Sequence, residues 1–249
     1  MAETIAVLSQ KGGTGKTTTV RTLTDVLRRV DLRVLAIDLD PQGDLSDYFD
    51  IDPEASPTVG DVLAGRAKAK AAIHDDVIPA NLSLAEAELA LAGKMGRELT
   101  LKRALKDVKR DYDVILLDCS PSLGVLTLNA LTAAHALIIP MPCEMLSHRG
   151  VGQLLDTVRD VKRILNKKLR VLGILPTLYD GRSLHAREVL EDVGSRYDLP
   201  VLMPPIPKTV RFAEAPAVGR SILSTARSSK GATAYREVAA TVLAQLATT

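Results

Sequence analysis

The residues best suited to chemistry form a glycine-rich segment near the start of the chain. Its members are Lys11, Gly12, Gly13, Thr14, Gly15, Lys16, Thr17 and Thr18. Glycines let several backbone N–H groups face one phosphate, and a helix that begins there adds the positive end of its dipole. Lys16 would reach the β- and γ-phosphates of a nucleotide, and the Thr17 hydroxyl would bind Mg²⁺. The usual pattern G-x-x-x-x-G-K-[ST] is broken where Gln10 replaces glycine, so a simple glycine-rich helix cap is the alternative.

Carboxylates follow two further apolar stretches of the chain. In Asp38-Leu39-Asp40-Pro41-Gln42-Gly43-Asp44, Asp40 is placed to orient an attacking water and Asp44 to approach the water shell of a metal. The alternative for this segment is a Pro/Gly turn in which aspartate only caps the backbone. Asp118 ends the run Val114–Leu117, and a buried strand that ends in an unpaired carboxylate is costly unless a cation lies beside it. Asp118 is therefore the predicted Walker B ligand, which holds Mg²⁺ through water.

Short apolar runs alternate with amphipathic stretches and predict the elements that position these residues. The predicted strands are Thr4–Ser9, Arg33–Asp38, Val114–Asp118, Ala136–Met141, Arg170–Leu175 and Pro200–Met203. The predicted helices are Lys16–Arg29, Arg97–Arg110, Leu123–Ala133, Ser147–Leu165, Leu184–Tyr197 and Gly231–Leu246. Strands separated by helices of this length indicate an α/β fold with a mostly parallel twisted sheet and helices on both faces. We expect one domain over residues 1–249, with loops and short helices over 41–97 at one sheet edge.

Composition narrows the class of protein. The chain of 249 residues has 46% hydrophobic and 25% charged residues, and no apolar run approaches the roughly 20 residues of a membrane span. Its two cysteines cannot form a disulfide framework and lack metal-ligand spacing. With no Trp and two Phe, the chain has little material for stacking nucleic-acid bases. We expect a cytoplasmic protein.

The net charge of +2 conceals an asymmetry between the two parts of the chain. Residues 1–148 carry a net charge of −5, whereas residues 149–249 carry +7. A basic half is typical of proteins that bind a polyanion, although solvated helices also collect Lys and Arg. Charge by itself leaves both interpretations open.

The motifs, taken in order along the chain, resemble those of the ParA/Soj partition ATPases, a P-loop class with a deviant Walker A motif. The matching segments are Lys11–Thr18, Asp38–Gly43, Asp118–Gly124, Pro140–Glu144, Tyr179–Ser183 and Ile206–Pro216. The resemblance covers about residues 3–246. Asp44 stands where the family usually has Asn, which would alter the charge around the metal, and Ser120 stands where Pro is usual.

The resemblance implies an ATP hydrolase that depends on Mg²⁺, with Thr17, Asp40 and Asp118 at the metal. Lys11 looks like the signature lysine that reaches the partner's phosphates, so the protein would be a homodimer when ATP is bound. Catalytic roles would then fall to Lys11, Lys16 and Asp40. The resemblance also places Thr177 and Pro205, Ile206 and Pro207 near the adenine.

Family members of this kind bind double-stranded DNA without sequence preference, through phosphate contacts that weaken with salt. The positions that match or adjoin the family's DNA contacts are Arg182, Lys208, Arg211 and Arg220. The resemblance further implies a nucleoid-associated protein, a ParB/Spo0J-like activating partner and a role in chromosome or plasmid partition.

Other classes of ATPase share parts of this pattern. A membrane-associated positioning ATPase of the MinD type would need an amphipathic basic tail, but residues 238–249 contain no Lys, Arg or aromatic residue. An iron–sulfur carrier would need cysteine ligands. A biosynthetic ligase such as dethiobiotin synthetase shares the glycine-rich loop but fits the Asp-Pro-Gln-Gly segment poorly. A protein cargo instead of DNA remains an open alternative.

Overall fold

A six-stranded parallel sheet organises the computed structural model, which describes residues 2–143 and 148–247. The strands are β1 (Glu3–Val7), β2 (Val34–Leu39), β3 (Val77–Ile78), β4 (Val114–Cys119), β5 (Ala136–Pro142) and β6 (Arg170–Thr177). They lie in the order β3-β2-β4-β1-β5-β6, and every pair of neighbouring strands is parallel. The predicted fold class is confirmed.

Helices connect the strands and cover both faces. The longer ones are α1 (Lys16–Arg28), α4 (Ser83–Ala92), α6 (Val125–Ala133), α7 (His148–Ile164), α8 (Leu184–Tyr197) and α11 (Lys230–Ala247). The shorter ones are α2 (Asp44–Tyr48), α3 (Val59–Ala64), α5 (Thr100–Ala104), α9 (Arg211–Glu214) and α10 (Ile222–Thr225). Successive side chains of a strand point to opposite faces, so Ile5 and Val7 pack toward α1 and α11 while Ala6 packs into the other core. Burial on both faces explains why the strands are apolar runs without alternation.

Two predicted elements are wrong. The prediction of a helix over Arg97–Arg110 is reduced to α5 between two 3₁₀ turns. The Asn129 side chain accepts from the Leu101 N–H and donates to the Arg97 carbonyl, so it occupies backbone groups that a continuous helix would pair. Pro200–Met203 forms only one bridge beside β6, at Val201, because prolines in and around it have no N–H for a ladder.

The irregular stretch 41–97 contains α2, α3, α4 and the short edge strand β3, which the sequence did not predict. Two residues are too few to show a periodic pattern, yet β3 completes the sheet beside β2. The remaining predicted strands and helices agree with the observed ones to within two residues. Ser147 and Glu144, which belong to a predicted helix and a motif match, lie outside the described residues.

The sheet order brings the functional segments together. β1, β4 and β2 are consecutive neighbours, and Asp118 lies opposite both Val7 and Asp38 in the strand register. The loop after β1, the loop after β2 and the end of β4 therefore meet at the carboxyl edge, where ligands of such sheets bind.

Candidate nucleotide-binding and switch site

The glycine-rich loop has a backbone shape that requires glycine. Gly13 and Gly15 have φ angles of +68° and +89°, which other L residues rarely adopt. A Cβ atom at Gly12 or Gly13 would meet nothing within 4 Å, so this face of the loop is open. Gly15 precedes α1 and supplies no side-chain cap, so the first amides of α1 remain available to a ligand. The loop thus combines open amides with a helix N-terminus.

The two lysines of this loop have different surroundings. The Lys16 side chain is buried, and its Nζ donates to the Lys11 carbonyl over 3.3 Å. Lys11 is exposed at the tip of the loop. Lys16 is therefore held inside the loop, where phosphate oxygens would lie, whereas Lys11 extends outward.

Hydrogen bonds fix the base of the loop. The hydroxyls of Ser9 and Thr14 share a hydrogen bond of 2.5 Å, and Thr177 Oγ1 donates to the Thr14 carbonyl over 2.8 Å. A Cβ atom on Gly15 would lie 3.8 Å from Thr177 Cγ2. The end of β6 therefore supports the loop directly.

Asp38 and Asp118 are paired in the strand register and buried, but their oxygens differ. The Asp38 carboxylate accepts three hydrogen bonds, whereas neither oxygen of Asp118 has a partner among the described residues. Burial raises the pKa of Asp38 to about 6 against the effect of those hydrogen bonds. Burial, and then the charge of Asp38, raise the pKa of Asp118 well above its usual range, while Thr17 and Lys16 favour its ionised form. An unpartnered buried carboxylate of this kind calls for a cation.

This arrangement fits Mg²⁺ bound together with a nucleotide. Within residues 2–143 and 148–247, no cluster of three or more His, Cys, Asp or Glu side chains could hold a metal by itself. Mg²⁺ typically uses one or two protein ligands, several waters and the phosphates of its nucleotide. The Thr17 hydroxyl and the neighbouring Asp118 carboxylate could provide those few ligands.

The segment after β2 forms a tight loop that carries the other two acidic residues. Asp40 is half-buried, and its Oδ1 accepts from the Gln42 N–H over 3.1 Å. Gly43 has a φ angle of +74°, and a Cβ atom there would lie 3.1 Å from the Ala80 carbonyl oxygen, so glycine is needed. Asp44 starts α2, and partial burial and the nearby Asp40 raise its pKa.

Of the four residues expected near the adenine, Pro205 and Pro207 border a cavity of about 410 Å³, whereas Thr177 does not. Tyr179, Pro205 and Pro207 line it, whereas Ile206 is buried. Its wall on α11 adjoins Tyr235, whose hydroxyl shares a hydrogen bond of 2.9 Å with Thr19 of α1. The volume falls within the range of about 300–1,000 Å³ that is usual for small-molecule sites.

Three of the four predicted DNA contacts cluster. Arg182 and Lys208 line one broad groove of about 950 Å³, together with Lys230, and Arg211 begins α9 just beyond it. Arg220 does not line this groove; it follows Gly219, where a Cβ atom would lie 3.2 Å from Asp50 Cβ.

The two clustered arginines, Arg182 and Arg211, each form an ion pair with an acidic neighbour. Arg182 makes a two-pronged ion pair with Asp180, at 2.9 and 3.0 Å, and holds the pKa of that carboxyl at about 2. Arg211 pairs with Glu214 over 2.9 Å. A phosphate at either arginine would compete with an acidic neighbour.

Sequence reasoning assigned no role to Asp38, Ser46, Ser9 or Thr14's contact with Thr177. The available signal was the alternation in Asp38-Leu39-Asp40, which places the two carboxylates on the same face at the strand end and Leu39 on the other. The hydroxyl contacts join segments far apart in the chain and left no local pattern.

Comparison with known proteins identifies the family. Residues 2–171 match the AAA domain family model AAA_31. The chain is 41% identical over 251 residues to the sporulation initiation inhibitor protein Soj of Bacillus subtilis, covering 98% of this chain and 99% of that protein. It is also 41% identical over 245 residues to the chromosome-partitioning ATPase Soj of Thermus thermophilus, covering 97% of this chain and 96% of that protein.

Solved structures agree with this relationship. A cobyrinic acid a,c-diamide synthase from Mycobacterium smegmatis, solved with ADP and magnesium, is 48% identical with a TM-score of 0.88, covering 99% of this chain and 96% of that one. The same protein was also solved with an ATP analogue and magnesium. The cell division ATPase MinD of Pyrococcus furiosus is 28% identical with a TM-score of 0.78, covering 98% and 100%. With this sheet, this loop and these relatives, the chain belongs to the ParA/Soj family of partition ATPases and uses ATP and Mg²⁺.

Proposed function

We propose that this ATPase is a dimerising switch that binds DNA without sequence preference when ATP is bound and drives chromosome or plasmid partition. The observation that carries the proposal is that the end of β6 connects the glycine-rich loop to the basic groove. The end of β6 supports the glycine-rich loop Lys11–Thr18, the proposed phosphate loop, through Thr177. Five residues later, the same stretch of chain bears Arg182 in the basic groove. A change in the nucleotide site therefore has a short covalent path to the groove.

Hydrogen bonds brace this path. The Tyr179 N–H donates to the Ile206 carbonyl, and the Lys208 N–H donates to the Tyr179 carbonyl. These backbone hydrogen bonds hold the loop after β6 against the segment that contains Lys208. Tyr179 lines both the cavity beside the expected adenine and the basic groove. The two surfaces therefore share a wall.

We assign roles to the site residues on this basis. Lys16 would bind the phosphates, Thr17 and Asp118 would hold Mg²⁺, and Asp40 would orient the attacking water and contribute to the metal site. Bound Mg-ATP would supply the phosphoryl group and its charge neutralisation. The phosphate loop as a whole, Lys11 through Thr18, would cradle the nucleotide, with Thr177 and Pro205–Pro207 on its adenine side.

Dimerisation would follow from the difference between the two lysines. Lys16 is buried in its own loop, whereas Lys11 is exposed on the surface that a second copy would meet in the proposed dimer. A cation supplied in trans to the phosphates makes the dimer depend on ATP, as an arginine finger does. Two copies of the groove would then contact one duplex, and the linked contacts would bind far more tightly than one.

The proposal places the protein on the nucleoid in the cytoplasm, with hydrolysis stimulated by a ParB/Spo0J-like partner. Among the described residues, no helix is long and apolar enough to cross a membrane. The apolar side of α11 packs into the core through Tyr235, Val238 and Val242, which leaves that side unavailable to a bilayer surface. This burial disfavours the MinD-like alternative.

The test is a titration of the ATP-bound protein with random-sequence duplex at several salt concentrations. We expect binding that needs ATP, ignores sequence and falls linearly in log K with log salt. Arg182→Glu and Arg211→Glu should abolish it while ATP-dependent dimerisation persists. Arg159→Glu, in an exposed pair on α7, is the matched control.

The ion pair of Arg182 sharpens this experiment. Asp180→Asn removes the competing charge and should raise DNA affinity several-fold, because Arg182 no longer exchanges one anion for another. If the ATP-bound protein binds no duplex, or if these substitutions leave its affinity unchanged, the DNA-binding proposal is wrong.

A second candidate follows from the M. smegmatis relative, which is named as a synthase. A synthase would consume ATP only when its acceptor is present, whereas a partition ATPase releases phosphate to water. Phosphate release stimulated by DNA, with no response to cobyrinic acid, supports the partition function; the opposite pattern supports the synthase.

A further inference from the structure

The loop between β2 and α2 is tied at both ends to one buried carboxylate. Asp38 Oδ1 accepts from the Asp40 N–H over 3.0 Å. Asp38 Oδ2 accepts from the Ser46 N–H over 3.0 Å and from Ser46 Oγ over 2.8 Å. The intervening segment contains the proposed water-orienting residue Asp40.

Ser46 also joins this loop to the edge of the sheet. Its Oγ accepts from the Ala80 N–H over 2.9 Å, just beyond β3. The Ala80 carbonyl in turn packs against Gly43, where no Cβ would fit. The loop is therefore held from the strand before it and from the segment beside it.

Asp38 and its neighbour Asp118 differ in the hydrogen bonds that their carboxylate oxygens accept. The two residues lie opposite each other in the register, and both are buried. Asp118 has no hydrogen-bond partner within the described parts of the chain and faces Thr17 and Lys16. Asp38 directs both oxygens to the loop, and a buried carboxylate of this kind is stable only because such bonds satisfy it. Its contacts are those of a residue that shapes the loop, not of a ligand.

We propose that Asp38 and Ser46 form a positioning pair that holds Asp40 in the geometry needed for hydrolysis. The inference rests on the proposed role of Asp40. The pair would act through the position of Asp40 and not through a contact with the nucleotide. Misplacing a reacting group by about 1 Å can cost on the order of a hundredfold in rate.

The test uses Ser46→Ala, which removes the link to Ala80 but leaves the backbone bond from Ser46 to Asp38. Ser46 lines a cavity of about 170 Å³, so Ser46→Thr keeps the hydroxyl with room for its methyl group. We expect Ser46→Ala to lower kcat at least tenfold, with the affinity for a non-hydrolysable ATP analogue within twofold of the parent. Ser46→Thr should restore most of kcat. Ser195→Ala, which removes an exposed hydroxyl in α8, is the control.

Amide hydrogen exchange of the nucleotide-free protein gives an independent readout. The Ala80 and Asp40 amides should exchange at least tenfold faster in Ser46→Ala and close to the parent rate in Ser46→Thr. Parent-like kcat in Ser46→Ala overturns the inference, and so does a loss of kcat that Ser46→Thr fails to restore. If Asp40→Ala itself hydrolyses ATP normally, the proposed function of Asp40 fails instead, so the two failures are distinguishable.

Discussion

At the scale of single residues, chemical type does not decide the role of a buried aspartate. Asp38 and Asp118 have the same side chain, the same depth and adjacent register positions. The hydroxyl and amide of Ser46 satisfy one of them, and the other remains open beside Thr17 and Lys16. Because an unsatisfied buried carboxylate is unfavourable, the site is prepared to receive a cation at Asp118.

Substitution of Lys16 tests whether the glycine-rich loop binds the phosphates of ATP. Lys16→Ala removes the buried cation that would meet the phosphates, and we expect ATP affinity to fall by at least about a hundredfold, as for a lost charge-assisted hydrogen bond. Isothermal titration with Mg-ATP measures this, and Lys106→Ala, an exposed lysine elsewhere, should bind as the parent does. Parent-like affinity in a folded Lys16→Ala protein would contradict the assignment.

Substitution of Asp40 tests its proposed role in ATP hydrolysis. Asp40→Ala should still bind ATP and dimerise, because the phosphates are held by the other loop, but its turnover should fall by about a hundredfold or more. Steady-state phosphate release measures the effect, with Asp47→Ala, at an exposed position of α2, as the control. Turnover at the parent rate would transfer the role to Asp44.

At the scale of elements, an ion pair on α1 between buried Arg21 and partly buried Asp25 joins the end of α2 to the basic half of the chain. Arg21 and Asp25 are paired one helical turn apart, and Arg21 also donates to the Tyr48 and Gly219 carbonyls over 3.1 Å. The Arg21 guanidinium stacks over Phe49, 4.1 Å from the ring centroid. Helix α1 therefore fastens the end of α2 to the segment that follows α9.

Removing this clamp should destabilise the fold. Arg21→Met leaves Asp25 and two carbonyls without their shared donor, and we expect the free energy of unfolding to fall by about 3 kcal/mol. Urea denaturation measures the loss. Arg159→Met breaks an exposed pair on α7 and should change the stability by less than about 0.5 kcal/mol. Equal losses in the two variants would show that the clamp is no stronger than a surface pair.

At the scale of the whole molecule, the charge asymmetry becomes a spatial arrangement. The basic groove with Arg182, Lys208 and Lys230 adjoins the end of β6 that supports the glycine-rich loop, while the acidic half supplies the loop between β2 and α2. Asp180 and Glu214 pair with Arg182 and Arg211 and reduce the positive charge that these arginines offer to DNA. An ATP dimer that presents two copies of the groove is therefore the arrangement that would bind DNA tightly.

Lys11 tests this dimer. With a non-hydrolysable ATP analogue and Mg²⁺, sizing chromatography should give a dimer for the parent and a monomer for Lys11→Ala, since the exposed lysine would bridge to the partner's phosphates. Nucleotide affinity should be largely retained, and Lys167→Ala should dimerise normally. A normal dimer of Lys11→Ala would remove the trans-acting lysine from the mechanism.

The sequence by itself determined those features of this protein whose residues lie close together in the chain. The phosphate loop lies within eight residues, and the β1, β2, β4, β5 and β6 runs are apolar because a parallel sheet is buried on both faces. Even the pairs Arg182–Asp180 and Arg211–Glu214 lie within three residues, although their spacing alone does not show that they form.

Only the tertiary structure decided the features that join distant segments. Asn129 shortens the expected Arg97–Arg110 helix from 28 residues beyond Leu101. Ser46 distinguishes Asp38 from Asp118, and Thr177 reaches the phosphate loop across 163 residues of chain. A hydrogen bond forms where folding places donor and acceptor about 3 Å apart, and no local pattern of residue types records that distance.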